Sequence, residues 1–224
     1  MIRSEDVRYY ALSILTPMLL LAAATYGAGL VVMGRPTGEA AVNRALAAGR
    51  TSLGNTLTDL GSSLSDTPYI VALTVAAVIA LRLRHAAWRE PIFLIAAVWS
   101  QSLIFLATTE LVGRHRPPVR HLDEAPPTSS FPSGHVSAAV AFYCGLALIV
   151  ATRARGRPAR VAIWVLAVAA VLVVSFSRLY RGLHFVTDVV WGLLLGAGCL
   201  VMAARAILHR PRVAAEAGVR AGPR

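Results

Sequence analysis

The chain has 224 residues, of which 56% are hydrophobic and only 15% charged, and its mean hydropathy is +0.62. This composition is too apolar for an ordinary soluble domain of that length and places the chain in a bilayer. The formal net charge of +11 is the difference between 22 basic residues, all of them arginine, and 11 acidic ones. The arginines lie in short clusters between apolar runs, which argues against a nucleic-acid-binding surface.

Six apolar stretches approach the length that crosses a hydrocarbon core of roughly 30 Å, which is about 17 to 25 residues of helix. They cover residues 10–33, 68–83, 91–112, 136–152, 159–176 and 185–208. The second and fourth are short and would borrow flanking residues. The first has small residues typical of a signal-peptide cleavage site, but its length and the acidic Glu5 and Asp6 before it favour an uncleaved span.

The segment between the first two spans, residues 37–67, is polar enough to leave the membrane. Its leucines recur at helix-like spacing, at positions 46, 53, 57, 60 and 64. The spacing predicts one or two amphipathic helices on the outer surface, serving as a structural connector or as a guide for substrate. The prediction for the fold is an all-α, integral membrane bundle of six transmembrane helices over residues 1–210. A disordered cytoplasmic tail is predicted for residues 211–224, which lack periodicity.

The arginine distribution predicts the orientation, because short cytoplasmic loops carry an excess of basic residues. Two loops rich in arginine, after the second and fourth spans, are therefore predicted to be cytoplasmic. With six spans, both termini lie on that same side. These loops contain Arg82, Arg84, Arg89, Arg153, Arg155, Arg157 and Arg160. By alternation, residues 34–67, 113–133 and 177–184 lie on the extracytoplasmic side of a cell membrane.

Four arginines of these outer segments, Arg114, Arg116, Arg178 and Arg181, oppose the positive-inside trend. Either an anionic ligand requires them or a few outer arginines are simply tolerated. Arginine suits phosphate because its planar fork donates paired, charge-assisted hydrogen bonds. The pattern favours a phosphate-bearing ligand at the outer face.

Other polar residues with matching chemistry lie in the same outer segments. Ser133 and Gly134 precede an apolar helix, whose first backbone N–H groups can face an anion. His184 and Asp188 are four residues apart, which places them on one helical face if the sixth span begins there. The carboxylate could then hold one imidazole nitrogen and leave the other free to attack phosphorus, although such a pair alone is more often a helix-surface contact. Cys144 and Cys199 fall in apolar runs, and no Cys/His cluster has zinc spacing, so neither a metal nor another cofactor is predicted.

These segments together resemble the signature of the type-2 phosphatidic acid phosphatase superfamily. The resemblance rests on Arg-Pro at 116–117, Pro-Ser-Gly-His at 132–135, and Ser-Arg, five residues, His, three residues, Asp at 177–188. It implies that His184 is a nucleophile that forms a phosphohistidine, that Asp188 orients it, and that His135 donates a proton to the leaving group. It also implies that Arg116, Arg178, Ser133 and the backbone of Gly134 bind the phosphoryl oxygens without a metal.

One position departs from the family pattern. The lysine expected seven residues before Arg116 is replaced by Thr109, beside Glu110. Three explanations stay open. Another group, such as Arg114 or Arg120, replaces that cation; the substrate does not need it; or the protein has lost activity. Glu110 is expected to pair with Arg114 four residues on, as a structural contact or to position that arginine. Arg181 is a further candidate for contact with the substrate head group.

The expected function is therefore a membrane enzyme that hydrolyses a lipid phosphate or diphosphate, such as polyprenyl diphosphate, phosphatidylglycerophosphate or phosphatidate. Its expected partners are that lipid and the bilayer. Two alternatives stay open: a lipid phosphotransferase that uses the same intermediate, and a catalytically impaired protein that only binds lipid phosphates.

Overall fold

The computed structural model describes residues 8–33, 38–85 and 87–209. Within those ranges the chain forms eight helices and no strand, so the predicted all-α fold is confirmed. The predicted tail at 211–224 lies outside the described residues. The helices are α1 (Arg8–Met33), α2 (Ala40–Ala48), α3 (Ser52–Ser63), α4 (Thr67–His85), α5 (Arg89–Leu111), α6 (Gly134–Ala151), α7 (Arg157–Tyr180) and α8 (Val186–Leu208).

Six of the helices, α1 and α4 to α8, are long and apolar enough to cross a membrane. Large apolar side chains cover their outward surfaces, including Leu166, Trp99 and Leu19, which are 71%, 66% and 57% exposed. A surface of this kind is stable in lipid and would be unstable in water. The chain is therefore a multi-pass membrane protein with six spans, as predicted.

Two helix ends differ from the predicted spans in a way that matters for the site. Helix α7 continues to Tyr180 rather than ending at 176, because Ser177 to Tyr180 form one more helical turn. Helix α6 begins at Gly134 rather than at 136. Arg178 consequently lies on the last turn of α7 and His135 on the first turn of α6, instead of in loops.

Helix α8 packs against α1, α5 and α6, while α4 packs on α5. Helix α8 lies especially close to α6 because two of its glycines face the α6 backbone. A Cβ atom at Gly192 would lie 2.7 Å from the Ser133 carbonyl oxygen, and one at Gly196 would lie 2.6 Å from that of Ser137. This close contact holds the start of α6 in a fixed place beside the start of α8.

The segment between α1 and α4 forms two helices, α2 and α3, of which α3 packs on α7. The stripe of Leu53, Leu57 and Leu60 on α3 is more than half exposed, whereas Thr58 and Ser62 are buried against the bundle. The polar face of this amphipathic helix therefore turns inward. Its position brings hydroxyl and carboxylate groups to the end of the bundle that carries Arg178 and His135.

Candidate active site

A cavity of about 730 Å³ lies among α3 to α7, at the end of the bundle where α5 ends and α6 begins. Seven of the eleven residues singled out from the sequence line it: Thr109, Glu110, Arg116, Gly134, His135, Arg178 and His184. The remaining four are Arg114, Ser133, Arg181 and Asp188. The three sequence motifs thus meet at one place, although up to about 75 residues separate them along the chain.

His184 lies in the connection between α7 and α8 and is only 4% exposed. Its Nδ1 atom is 2.7 Å from the carbonyl oxygen of Ser130. A carbonyl oxygen only accepts hydrogen bonds, so Nδ1 carries the proton and Nε2 keeps its lone pair in the neutral ring. Burial lowers the pKa of His184 to about 4. The imidazole is therefore neutral near pH 7, with Nε2 available as a nucleophile.

Asp188 is fully buried at the start of α8, and its contacts differ from the predicted ones. One carboxylate oxygen accepts the Phe185 N–H at 2.8 Å and lies 3.7 Å from His184 Nδ1. The other oxygen pairs with Arg114. The predicted hydrogen bond from the His184 imidazole to the carboxylate is replaced by the one to Ser130, because Asp188 caps the helix. Asp188 still places a negative charge beside the imidazole.

His135 lies on the first turn of α6 with its imidazole toward the cavity. Its Nε2 atom is 2.8 Å from Oδ1 of Asp66, a residue between α3 and α4 that the sequence reasoning missed. The hydrogen bond with His135 lowers the pKa of Asp66 below its ordinary value. Asp66 is therefore ionised at neutral pH beside a histidine of the site.

Arg116 and Arg178 both reach the cavity and keep donors without partners. Arg116 Nη1 donates to the Leu183 carbonyl at 2.9 Å, and Arg178 Nη1 donates to Ser62 Oγ at 2.8 Å. The Nε atoms of both arginines and Oγ of Ser133 are buried without a hydrogen-bond partner. Unpaired buried donors are costly, by about 1–3 kcal/mol each, unless a ligand satisfies them. This group of donors fits a phosphate.

The predicted pair of Glu110 with Arg114 is not formed. Helix α5 ends at Leu111, so the two residues do not share a helical face. Glu110 is exposed at the cavity wall, while Arg114 is 7% exposed and pairs with Glu39 at 2.9 Å and with Asp188. Arg114 therefore lies behind Asp188 and does not replace the missing cation.

Thr109, at the position of that cation, is buried against the cavity and donates its hydroxyl to the Leu106 carbonyl at 3.0 Å. Arg120, the other suggested replacement, has an exposed side chain and does not line the cavity. Arg116 and Arg178 are thus the arginines of the described lining, which contains no lysine.

Arg181, a candidate for contact with the head group, is not among the residues that line the cavity. It pairs with Asp59 at 3.0 Å and with Asp123, and it donates to the Asn55 carbonyl at 3.1 Å. Asp123, in the loop before α6, also lies 3.3 Å from Arg178. These acidic residues could have been identified from the arginines themselves. A buried arginine needs a carboxylate partner, and the loops and helices at the same end of the bundle are where such carboxylates occur.

The sequence and the fold were both compared with known proteins. The sequence profile of the PAP2 superfamily matches residues 90–212. No curated protein matches the chain significantly. A transmembrane PAP2-type phosphatidylglycerolphosphate phosphatase from Bacillus subtilis is structurally similar, with a TM-score of 0.71, 22% identity, and coverage of 92% of this chain and 100% of the other. LpxE from Aquifex aeolicus has a TM-score of 0.58 at 20% identity, over 73% of this chain and 92% of its own.

Proposed function

The chain belongs to the PAP2 superfamily, and on that premise we propose that it is a metal-independent phosphatase acting on a lipid phosphate or diphosphate. One observation carries the proposal. The unpaired buried donors of Arg116 and Arg178 lie at the same cavity as a neutral His184, and the unpaired hydroxyl of Ser133 directly precedes Gly134, which also lines that cavity. Paired arginines neutralise a phosphoryl group, and preorganised donors of this kind stabilise the charge of its transition state.

In the first step, the Nε2 lone pair of His184 forms a bond to phosphorus while the bond from phosphorus to the leaving oxygen breaks. The leaving oxygen keeps that electron pair and takes a proton from His135. The phosphorylated imidazole retains its Nδ1 proton and is positively charged. The Ser130 carbonyl accepts that N–H, and the Asp188 carboxylate, 3.7 Å away, stabilises the charge.

In the second step, water attacks phosphorus and gives a proton to His135, which the first step left neutral. The N–P bond breaks and its electrons return to Nε2 of His184. Phosphate is released and both histidines regain their starting states. Each step needs only the nucleophile, the acid–base group and the arginines already in place.

The walls of the cavity support a lipid as the substrate. Away from the arginines they are formed by apolar side chains of α4 and α5, including Ile70, Val71, Leu103 and Leu106. An acyl or prenyl chain can lie along these residues while its phosphate reaches Arg116 and Arg178. The similar Bacillus subtilis structure is a phosphatidylglycerolphosphate phosphatase, which makes that lipid a suitable first substrate.

Phosphate release by the purified protein tests the proposal on a panel of phosphatidylglycerophosphate, phosphatidate, and polyprenyl monophosphate and diphosphate. We expect release from at least one lipid, and a loss of about 10³-fold or more in His184→Ala, since no N–P bond can form. The matched control is His115→Ala, because His115 is an exposed histidine of the same outer loop. Radiolabelled phosphate should also be trapped on the wild-type protein in a base-stable, acid-labile bond.

The two alternative functions give different results in the same assay. A phosphotransferase forms the labelled intermediate but passes the phosphoryl group to an added lipid or glycan acceptor instead of releasing phosphate. A binding protein retains lipid phosphate without forming the intermediate. Full turnover by His184→Ala would contradict the assigned nucleophile.

We also propose that the site faces the extracytoplasmic side, with both termini in the cytoplasm. The arginine-rich connections after α4 and α6 support this orientation. A membrane-impermeant thiol reagent applied to intact cells should label Arg120→Cys and spare Arg155→Cys, both of which change exposed residues. Labelling of Arg155→Cys alone would reverse the orientation.

A further inference from the structure

The outer segment between α1 and α4 contributes directly to the site. Ser62 accepts a hydrogen bond from Arg178, Ser65 Oγ donates to the His135 carbonyl at 2.7 Å, and Asp66 binds the His135 imidazole at 2.8 Å. All three residues precede the range that matches the family profile, which begins at residue 90. This segment is therefore more than a connector between two spans.

The contact of Asp66 with His135 has the geometry of a fixed carboxylate–imidazole pair. Both side chains line the cavity, and they are partly shielded, at 39% and 25% exposure. Because Asp66 occupies Nε2, only Nδ1 of a protonated His135 is left to donate elsewhere. Ser65 holds the backbone of the same histidine, so two neighbouring residues fix both its main chain and its ring.

Resting on the proposed function, we infer that Asp66 is a positioning residue that holds His135 as an imidazolium, oriented to protonate the leaving oxygen from Nδ1. In this step the leaving oxygen takes the Nδ1 proton as its bond to phosphorus breaks, and His135 becomes neutral while its Nε2–H stays on Asp66. The same pair accepts the proton of the attacking water in the second step.

The other charges around His135 explain why a carboxylate is needed there. Arg178, on α7, lines the same cavity, and both the burial of the ring and this positive charge oppose a proton on His135. Asp123, in the loop before α6, also lines the cavity, but it is bound to Arg178 and Arg181. Asp66 is thus the carboxylate in direct contact with the ring. Without it, the proton on His135 would be opposed by the arginine that binds phosphate.

The experiment compares two lipid phosphates that have the same hydrocarbon chain but different leaving groups. One releases an alkoxide and the other a nitrophenolate. A nitrophenolate leaves without protonation, so only the alkyl ester depends on the acid. Release of the leaving group is followed in a single turnover with enzyme in excess, which isolates the first step. For Asp66→Asn we expect a loss of about 10²-fold on the alkyl ester, the lower range for general acid catalysis, and less than about threefold on the aryl ester.

Two further readouts separate positioning from a structural effect. The alkaline limb of the pH–rate profile for the alkyl ester should move to lower pH in Asp66→Asn, and Asp66→Glu should restore part of the rate. The matched control is Glu90→Gln, which removes a carboxylate paired with Arg153 at the other end of the bundle. The rates on the two esters are measured in one preparation. Unfolded protein lowers both rates by the same factor and leaves their ratio unchanged.

Equal losses on both esters, or an unchanged alkyl rate, would overturn the role of Asp66. Either result leaves the proposed function intact if His184→Ala still abolishes both reactions. Failure of the wild-type protein to release either leaving group would instead contradict the phosphatase proposal itself.

Discussion

The contact between Gly192 and Ser133 makes a sharp prediction about how accurately the phosphate site must be placed. A Cβ atom at Gly192 would lie 2.7 Å from the Ser133 carbonyl oxygen, which is backbone and cannot rotate away. An ordinary carbon–oxygen contact is about 3.3 Å, so Gly192→Ala must push the start of α6 away from α8 by about 0.6 Å. That displacement moves Ser133, Gly134 and His135 together, relative to His184.

The size of the effect follows from this displacement. A shift of about 1 Å in a catalytic group costs about 10²-fold in rate, so a shift of about 0.6 Å should lower kcat/KM by about tenfold. Overpacking costs about 1–3 kcal/mol in stability, which the better helix propensity of alanine offsets by about 1 kcal/mol. Gly192→Ala should therefore remain folded while losing activity.

The matched control lies on the same helix. The three atoms nearest to a Cβ atom at Gly198 all belong to the flexible side chain of Leu21, the closest being the methyl carbon Cδ2 at 2.7 Å. Gly198→Ala makes the same chemical change but should keep wild-type activity, because Leu21 can change its rotamer. The assay is phosphate release per folded protein, with thermal unfolding measured in the same detergent. Equal activity of the two variants would refute the argument that Ser133 must be held this closely.

Three more predictions concern the charges of the site. Thr109→Lys should raise kcat/KM by about tenfold, the value of one charge-assisted hydrogen bond of about 1.5–3 kcal/mol, whereas Thr109→Met, of similar length without charge, should not. An unchanged rate in Thr109→Lys would mean that the arginines already suffice. The acid limb of the pH–kcat/KM profile should lie near pH 4, since burial lowers the pKa of His184 to about 4 and the nucleophile is lost only as the pH falls through that value. An acid limb near pH 6.5 would contradict this. Arg114→Met should lower the free energy of unfolding by about 3–5 kcal/mol, because the carboxylate of Asp188 would remain buried without its cation. Chemical denaturation in detergent measures this loss, and a midpoint equal to that of the wild type would show that Asp188 is compensated elsewhere.

The fold was predictable because its signals are local. A membrane span needs a continuous apolar run of a certain length, and each of the six runs could be identified without its neighbours. The ends were less certain, since Ser177 and Arg178 are polar residues that continue α7 beyond its apolar run, where α3 packs against it and Ser62 accepts a hydrogen bond from Arg178. Polar residues in a final helical turn give no hydropathy signal.

The site was predictable as a set of residues but not as a set of contacts. The spacing around His184 and His135 carries the family resemblance by itself, so the sequence alone determined which motifs come together. Which partner each side chain takes was decided by the tertiary structure. Asp188 is four residues from His184, yet the imidazole donates to Ser130, 54 residues away.

The physical reason is that hydropathy and helical spacing depend on neighbours along the chain, whereas the choice of an ion pair depends on distances between segments that only folding brings together. Arg114 has Glu110 nearby in sequence but pairs with Glu39 and Asp188, which are 75 and 74 residues away. Asp66 reaches His135 across 69 residues. The sequence by itself determined the membrane spans and the residue types that meet at one end of them, and only the tertiary structure decided which carboxylate pairs with which arginine or histidine.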